Sequence, residues 1–189
     1  MKSTILLVML VFISIPTFAM EDYQKKVLTY AYKYGNRIQY LNQGWGETVT
    51  SIVYQESKGG KSIYLRNGVV VGDRNSKGKY KSLGVMQVQL PAARDVQRWY
   101  PIVFKSKFGN YNPTDEELIY ALLSDYRFNI SVGSWYFIKM LELTGNWRQA
   151  ILAYNTGLNN NGNDPNDYVN KVLRWRKTIV PQVRNLIGG

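Results

Sequence analysis

The sequence contains no cysteine and no histidine. The first absence excludes disulfide staples, a thiol nucleophile, a lipid-modified N-terminal cysteine and thiolate metal sites. The second removes Ser-His-Asp and Cys-His catalysis and the usual zinc ligand sets, so no metal site is expected. Any chemistry must come from carboxylates, hydroxyls, amides, lysines and arginines, which favours carboxylate catalysis. Acids are themselves scarce: 13 Asp and Glu face 24 Lys and Arg, a formal charge of +11. After the first nineteen residues no stretch is apolar for the roughly 20 residues that a bilayer span takes, so no stable membrane span is expected.

The N-terminus has the pattern of a secretory signal peptide. Lys2 supplies a positive start, Ile5 to Ile15 is almost wholly apolar, and Pro16-Thr17-Phe18-Ala19 places a small residue at a cleavage point. An uncleaved anchor is the alternative. Residues 1–19 are therefore set aside, leaving residues 20–189 as one expected domain, exported to the periplasm or secreted. About 170 residues bury a core large enough to do without disulfides. Loss of Lys2 leaves the mature charge near +10, which suggests an anionic partner: nucleic acid, a membrane surface or an acidic polymer. The basic residues are dispersed, densest at Lys171, Arg174, Arg176 and Lys177. Export argues against nucleic acid, and a merely solubilising surface is the bland alternative.

Hydrophobic spacing predicts a mainly helical fold with one small hairpin. Val27, Tyr30, Ala31 and Tyr34 share a helical face within Asp22 to Gly35, and a second helix runs from Glu47 to Ser57, stopped by Lys58-Gly59-Gly60. Ile63-Tyr64-Leu65 and Val69-Val70-Val71 flank Arg66-Asn67-Gly68, whose Asn-Gly pair signals a hairpin. Gly72 to Lys81 reads as a loop. Helices resume at Pro91 toward Tyr100, after the Thr114 to Glu117 capping box through Leu122, and from Asp125 to Leu143. Gly145 closes that long helix and Asn146 caps the next, with Trp147, Ala150, Ile151 and Tyr154 on its apolar face. After a polar loop from Asn159 to Asn166, a last helix begins near Asp167 and aligns Tyr168, Val172, Trp175 and Ile179.

Glu56 breaks the pattern. Val49, Ile52, Val53 and Glu56 stand at i, i+3, i+4 and i+7, a stripe that should face the core. Its last member is a carboxylate in the last turn, where the helix dipole disfavours negative charge. Dipole and desolvation should both raise its pKa toward the range of a general acid. By spacing alone, a glutamate that swings to solvent or pairs with arginine is the favoured reading.

Further motifs surround it in order: Glu56-Ser57, then Ser82-Leu83-Gly84-Val85-Met86-Gln87, then Ala153-Tyr154-Asn155-Thr156-Gly157, then Tyr168-Val169. This order resembles the lytic transglycosylases with the soluble-lytic-transglycosylase domain, relatives of goose-type lysozyme. Asp125, Asn129-Ile130, Gly133 and Tyr136 are similar to that family's long helix. The resemblance covers about residues 25 to 180. Val85 stands where the family usually has leucine. The segment between Glu56 and Gly84 is about a dozen residues longer than is common, so an enlarged lobe beside the cleft is expected.

The resemblance implies a lysozyme-like (α+β) single domain, mainly α, with the hairpin beside the active-site cleft. It implies cleavage of peptidoglycan between N-acetylmuramic acid and N-acetylglucosamine, without cofactor, leaving 1,6-anhydromuramyl ends. Glu56 becomes the single acid/base, a substrate-assisted exception to the two-carboxylate rule. Tyr168 orients its carboxyl, and Asn155 binds an acetamido group or positions the glutamate. Ser82 and Gln87 touch sugar, while Met86 and Tyr154 line the wall. Tyr168, Met86 and Tyr154 also suit plain core packing, and Asn155 a helix C-cap. Asp73 is the candidate base for a lysozyme-type hydrolase, although an exposed turn residue is the simpler reading. A non-catalytic peptidoglycan-binding or assembly protein is the other alternative. Partners would be glycan strands and an envelope-spanning secretion or conjugation apparatus, with the enzyme a monomer.

Overall fold

The computed structural model describes residues 19–61, 65–66, 69–70, 72, 78, 80–109, 112–159, 163–164 and 167–188. The proposed signal peptide through residue 18, and Asp73, lie outside the described residues. Those described are mainly helical with one small antiparallel sheet.

Helix α1 (Asp22–Arg37) opens on a reciprocal capping box between Glu21 and Gln24 and buries Val27, Leu28 and Ala31. It lies backbone to backbone against α2 (Gly46–Ser57). A Cβ on Gly46 would stand 2.4 Å from the Tyr32 carbonyl oxygen, so the crossing tolerates no side chain there. Val49, Ile52 and Val53 of α2 are fully buried, as their stripe requires. The helix ends where Lys58 enters the left-handed region (φ 52°), its N–H donating to the Tyr54 carbonyl.

The expected hairpin is present among the described residues. Leu65 of β1 (Leu65–Arg66) faces Val70 of β2 (Val69–Val70), which leaves Asn67 and Gly68 between the strands. Helix α3 (Leu90–Trp99) carries Pro91 in its first turn. Helix α4 (Pro101–Phe108), which the spacing did not reveal, follows at once. Its buried residues are the neighbours Val103 and Phe104, not a 3.6-residue stripe, and Phe104 and Phe108 both meet Phe128 edge-on.

The capping box of α5 (Asp115–Ser124) is present, with Glu117 N–H on the Thr114 hydroxyl and the Glu117 carboxylate on Thr114 N–H. Asp125 then caps α6 (Tyr126–Thr144) through the N–H groups of Arg127 and Phe128. From Phe128 to Ser134 every residue of α6 is buried, so this helix runs through the core and packs on α1, α3, α5 and α7. Asn146 caps α7 (Trp147–Thr156) as expected.

The expected last helix is two helices, α8 (Tyr168–Thr178) and α9 (Val180–Gly188). Pro181 has no N–H to continue the ladder, and the chain bends where Ile179 and Val180 become buried. Arg176 of α8 and Arg184 of α9 both clasp Glu47 of α2. No helix among the described residues is long and apolar enough to cross a membrane.

Candidate active site

The last turn of α2 carries Glu56 out of the core and into a cleft of about 790 Å³. Because Glu56 continues the stripe of Val49, Ile52 and Val53, its carboxyl approaches the interior while keeping part of its surface open to the cleft. Tyr168, the first residue of α8, donates its hydroxyl to the Glu56 carboxylate Oε1 in a short hydrogen bond. Asp164 fixes the start of that helix by accepting the N–H groups of Tyr168 (2.7 Å) and Val169 (3.1 Å). One carboxylate thus satisfies two of the amides that a helix N-terminus leaves free.

Desolvation raises the Glu56 pKa to about 7, against the opposing hydrogen bond from Tyr168 and the charge of Lys58. Burial pushes the Tyr168 and Tyr154 hydroxyls well above the usual tyrosine range, and the Glu56 charge adds to it. Both phenols therefore remain donors. Glu56 is a neutral acid for much of the range up to neutrality and has a fixed donor ready for its anion.

The second wall is a loop held from three sides. Ser57, beside Glu56, donates to the Val85 carbonyl at 2.8 Å. Asn129 of α6 is fully buried; its Oδ1 accepts from Met86 N–H at 2.8 Å, and its Nδ2 donates to the Leu83 and Leu122 carbonyls at 2.8 and 3.1 Å. Tyr154 donates to the Met86 carbonyl at 2.8 Å. Gly84 is required here: its φ is +68°, and a Cβ would come within 2.3 Å of Asn129 Nδ2. Gly84 N–H also donates to the Val70 carbonyl (3.1 Å), which fastens the hairpin beside the cleft.

This loop presents Ser82 and Gln87 to the cleft. The Ser82 hydroxyl donates to Gln87 Oε1 at 2.7 Å, and Gln87 Nε2 donates to the Gly84 carbonyl at 2.7 Å. Tyr136 and Tyr154 meet edge to face at 5.7 Å, and Trp99 stacks behind Tyr136. An aromatic wall facing amides and hydroxyls suits sugar rings, which offer apolar faces and polar rims.

Of the residues singled out in the sequence, Glu56, Ser82, Gln87, Tyr154, Asn155 and Tyr168 all line this cleft. Asn155 is exposed and makes no hydrogen bond with Glu56 among the described residues. Met86 is corrected: it is 0 % exposed, its side chain lying against Gly133, where a Cβ would come within 2.6 Å of the sulfur. Only its backbone serves the site, because the tight loop turns the side chain into the core.

Spacing alone did not single out Gln55, Asp95 or Lys171, which also line the cleft. Lys171 had a usable signal, since it lies one helical turn beyond Tyr168 and shares its face. Asp95 is the other acid lining the cleft among the described residues, and Arg98 pairs with it.

The Transglycosylase SLT domain family matches residues 33–172, well over half of the chain and every cleft residue named above. No curated protein and no solved structure matches. The family's domain is lysozyme-like and implies peptidoglycan cleavage of the lytic-transglycosylase type. By this match the chain belongs to the Transglycosylase SLT domain family.

Proposed function

We propose that the chain cleaves the bond from N-acetylmuramic acid to N-acetylglucosamine in peptidoglycan strands and leaves 1,6-anhydromuramyl ends, with Glu56 as its sole acid/base. The carrying observation is a cleft carboxyl with a pKa of about 7 that accepts a hydrogen bond from Tyr168. Glu56 gives its proton to the bridging oxygen as that bond to muramyl C1 breaks, and the N-acetylglucosamine end leaves as an alcohol. The substrate's own N-acetyl carbonyl stabilises the cation at C1. The Glu56 carboxylate, held by the Tyr168 hydroxyl, then takes the proton of the muramyl C6 hydroxyl as its oxygen bonds C1. Glu56 ends protonated, and no redox partner or cofactor is consumed. Ser82, Gln87 and Asn155 offer hydrogen bonds to hydroxyl and acetamido groups, and Tyr154 an aromatic face.

Digestion of purified sacculi, with the soluble products read by mass spectrometry, tests this reading. Anhydro ends from the wild type and a loss of at least about a hundredfold in rate for Glu56→Gln are expected. Reducing ends would instead establish a lysozyme-type hydrolase. For that alternative Asp95 is the second carboxylate of the cleft among the described residues, although its ion pair with Arg98 occupies it. A wild type that releases no glycan would leave a binding or assembly protein.

The reading includes export, motivated by Lys2, the apolar run from Ile5 to Ile15 and Ala19. Sequencing of the mature N-terminus should then begin at Met20, and a start at Met1 would overturn cleavage. Its partners would be glycan strands and, for local wall opening, an envelope-spanning apparatus.

A further inference from the structure

Two lysines, Lys58 and Lys171, gather near the Glu56 end of the cleft, and among the described residues neither forms an ion pair. Lys58 leaves α2 two residues after the glutamate, and its Nζ lies 4.6 Å from the Trp175 ring centroid and 5.2 Å from that of Tyr54. Lys171, from α8, lines the cleft itself. The two are close enough to repel. Burial pushes the Lys58 ammonium below the usual lysine range and the Lys171 charge pushes it further, with Glu56 opposing. Glu56 is the acid whose charge acts on Lys58, while Asp95, the other acid lining the cleft among the described residues, is paired with Arg98. Like charges gathered on a partly desolvated scaffold are unfavourable until an anion arrives.

We propose that Lys58 and Lys171 form an anion subsite at the Glu56 end of the cleft, which takes a carboxylate carried by the muramyl sugar. This rests on the peptidoglycan reading of the cleft. The carboxylate sits on the lactyl arm, or on the first residues of a peptide attached there. The faces of Tyr54 and Trp175 hold Lys58 as a fixed cation and limit the rotamer entropy lost on binding. The Trp175 ring is itself anchored, its Nε1–H donating to Gln55 Oε1 at 2.7 Å. Lys171 brings the second charge into the cleft. A chitin strand has the same rings and acetamido groups but no such carboxylate, so the pair separates muramyl glycans from plain N-acetylglucosamine polymers.

Calorimetric titration of the Glu56→Gln protein with three tetrasaccharides tests the subsite. One is chitotetraose, one alternates N-acetylglucosamine with N-acetylmuramic acid bearing free lactyl carboxylates, and one carries a short acidic peptide on the lactyl group. At low salt an anionic ligand should bind roughly fivefold tighter than chitotetraose. Preference for the free-lactyl or the peptide form assigns the source of the carboxylate. Adding Lys58→Gln and Lys171→Gln should erase the preference. Lys171→Gln alone, which leaves the aromatic cage intact, should remove about half of it and keeps the test decisive if the Lys58 change unfolds the protein. Equal affinity for all three ligands, or a preference surviving both substitutions, would overturn the subsite alone. Failure to bind any of them would overturn the glycan-cleft reading with it.

Discussion

Glu56 and Tyr168 form a unit in which each limits the other. The apolar stripe of α2 makes the glutamate a reluctant anion, and the Tyr168 hydroxyl keeps that reluctance from becoming complete. An acid must be protonated before the first step and stable as an anion after it, so a pKa near the working pH serves both halves. The sign of the pH dependence follows. The competent form lies below the Glu56 pKa, so the rate should fall as pH rises through about 7. Tyr168→Phe removes a donor that favours the anion, which raises the glutamate pKa further. The alkaline limb should then move to higher pH, with turnover lowered about tenfold through loss of anion stabilisation. A pH profile of sacculus digestion by both proteins checks this, and an unmoved limb would make Tyr168 a packing residue.

Among the elements, the geometry of the cleft depends on how the loop from Ser82 to Val88 is pinned between α2, α6 and α7. Asn129 does most of this, with three hydrogen bonds from a fully buried side chain. Asn129→Ala would leave buried donors and acceptors unpaired at about 1–3 kcal/mol each, partly relieved by loop movement. A fall in melting temperature of roughly 5–10 °C is expected, together with weakened catalysis as Ser82 and Gln87 lose their seat. A calorimetric scan showing no change would mean the loop is held by other contacts. The sequence revealed those elements whose signal is local. Thr114 with Glu117, Asn146 and the α2 stripe each state their own structure. Helix α4 escaped because Val103 and Phe104 are adjacent, and Pro181 was the unused sign that the terminal helix divides. Met86 was misplaced because the direction of its side chain depends on Gly133, on a distant helix. Tyr168 was legible only as part of an ordered set of motifs; its own stripe with Val172 and Trp175 points equally to the core.

Over the whole molecule, the excess of Lys and Arg meets a substrate that carries carboxylates. Charge of this size accelerates encounter and holds an enzyme near an anionic polymer, and it is screened once the Debye length shrinks below about 8 Å. Digestion of sacculi, followed by loss of turbidity, should therefore slow severalfold between about 0.05 and 0.5 M salt. A salt-independent rate would confine the basic surface to solubility. The clasp of Arg176 and Arg184 on Glu47 ties α8 and α9 to α2, so the helices bearing Tyr168 and Glu56 share one support.

The most direct measurement is a carbon-13 NMR titration of the Glu56 side-chain carboxyl, assigned by its disappearance in Glu56→Gln. The expected midpoint is about 7. A midpoint near the ordinary 4.5 would mean a solvated carboxylate, already ionised at neutral pH and unable to act as the acid.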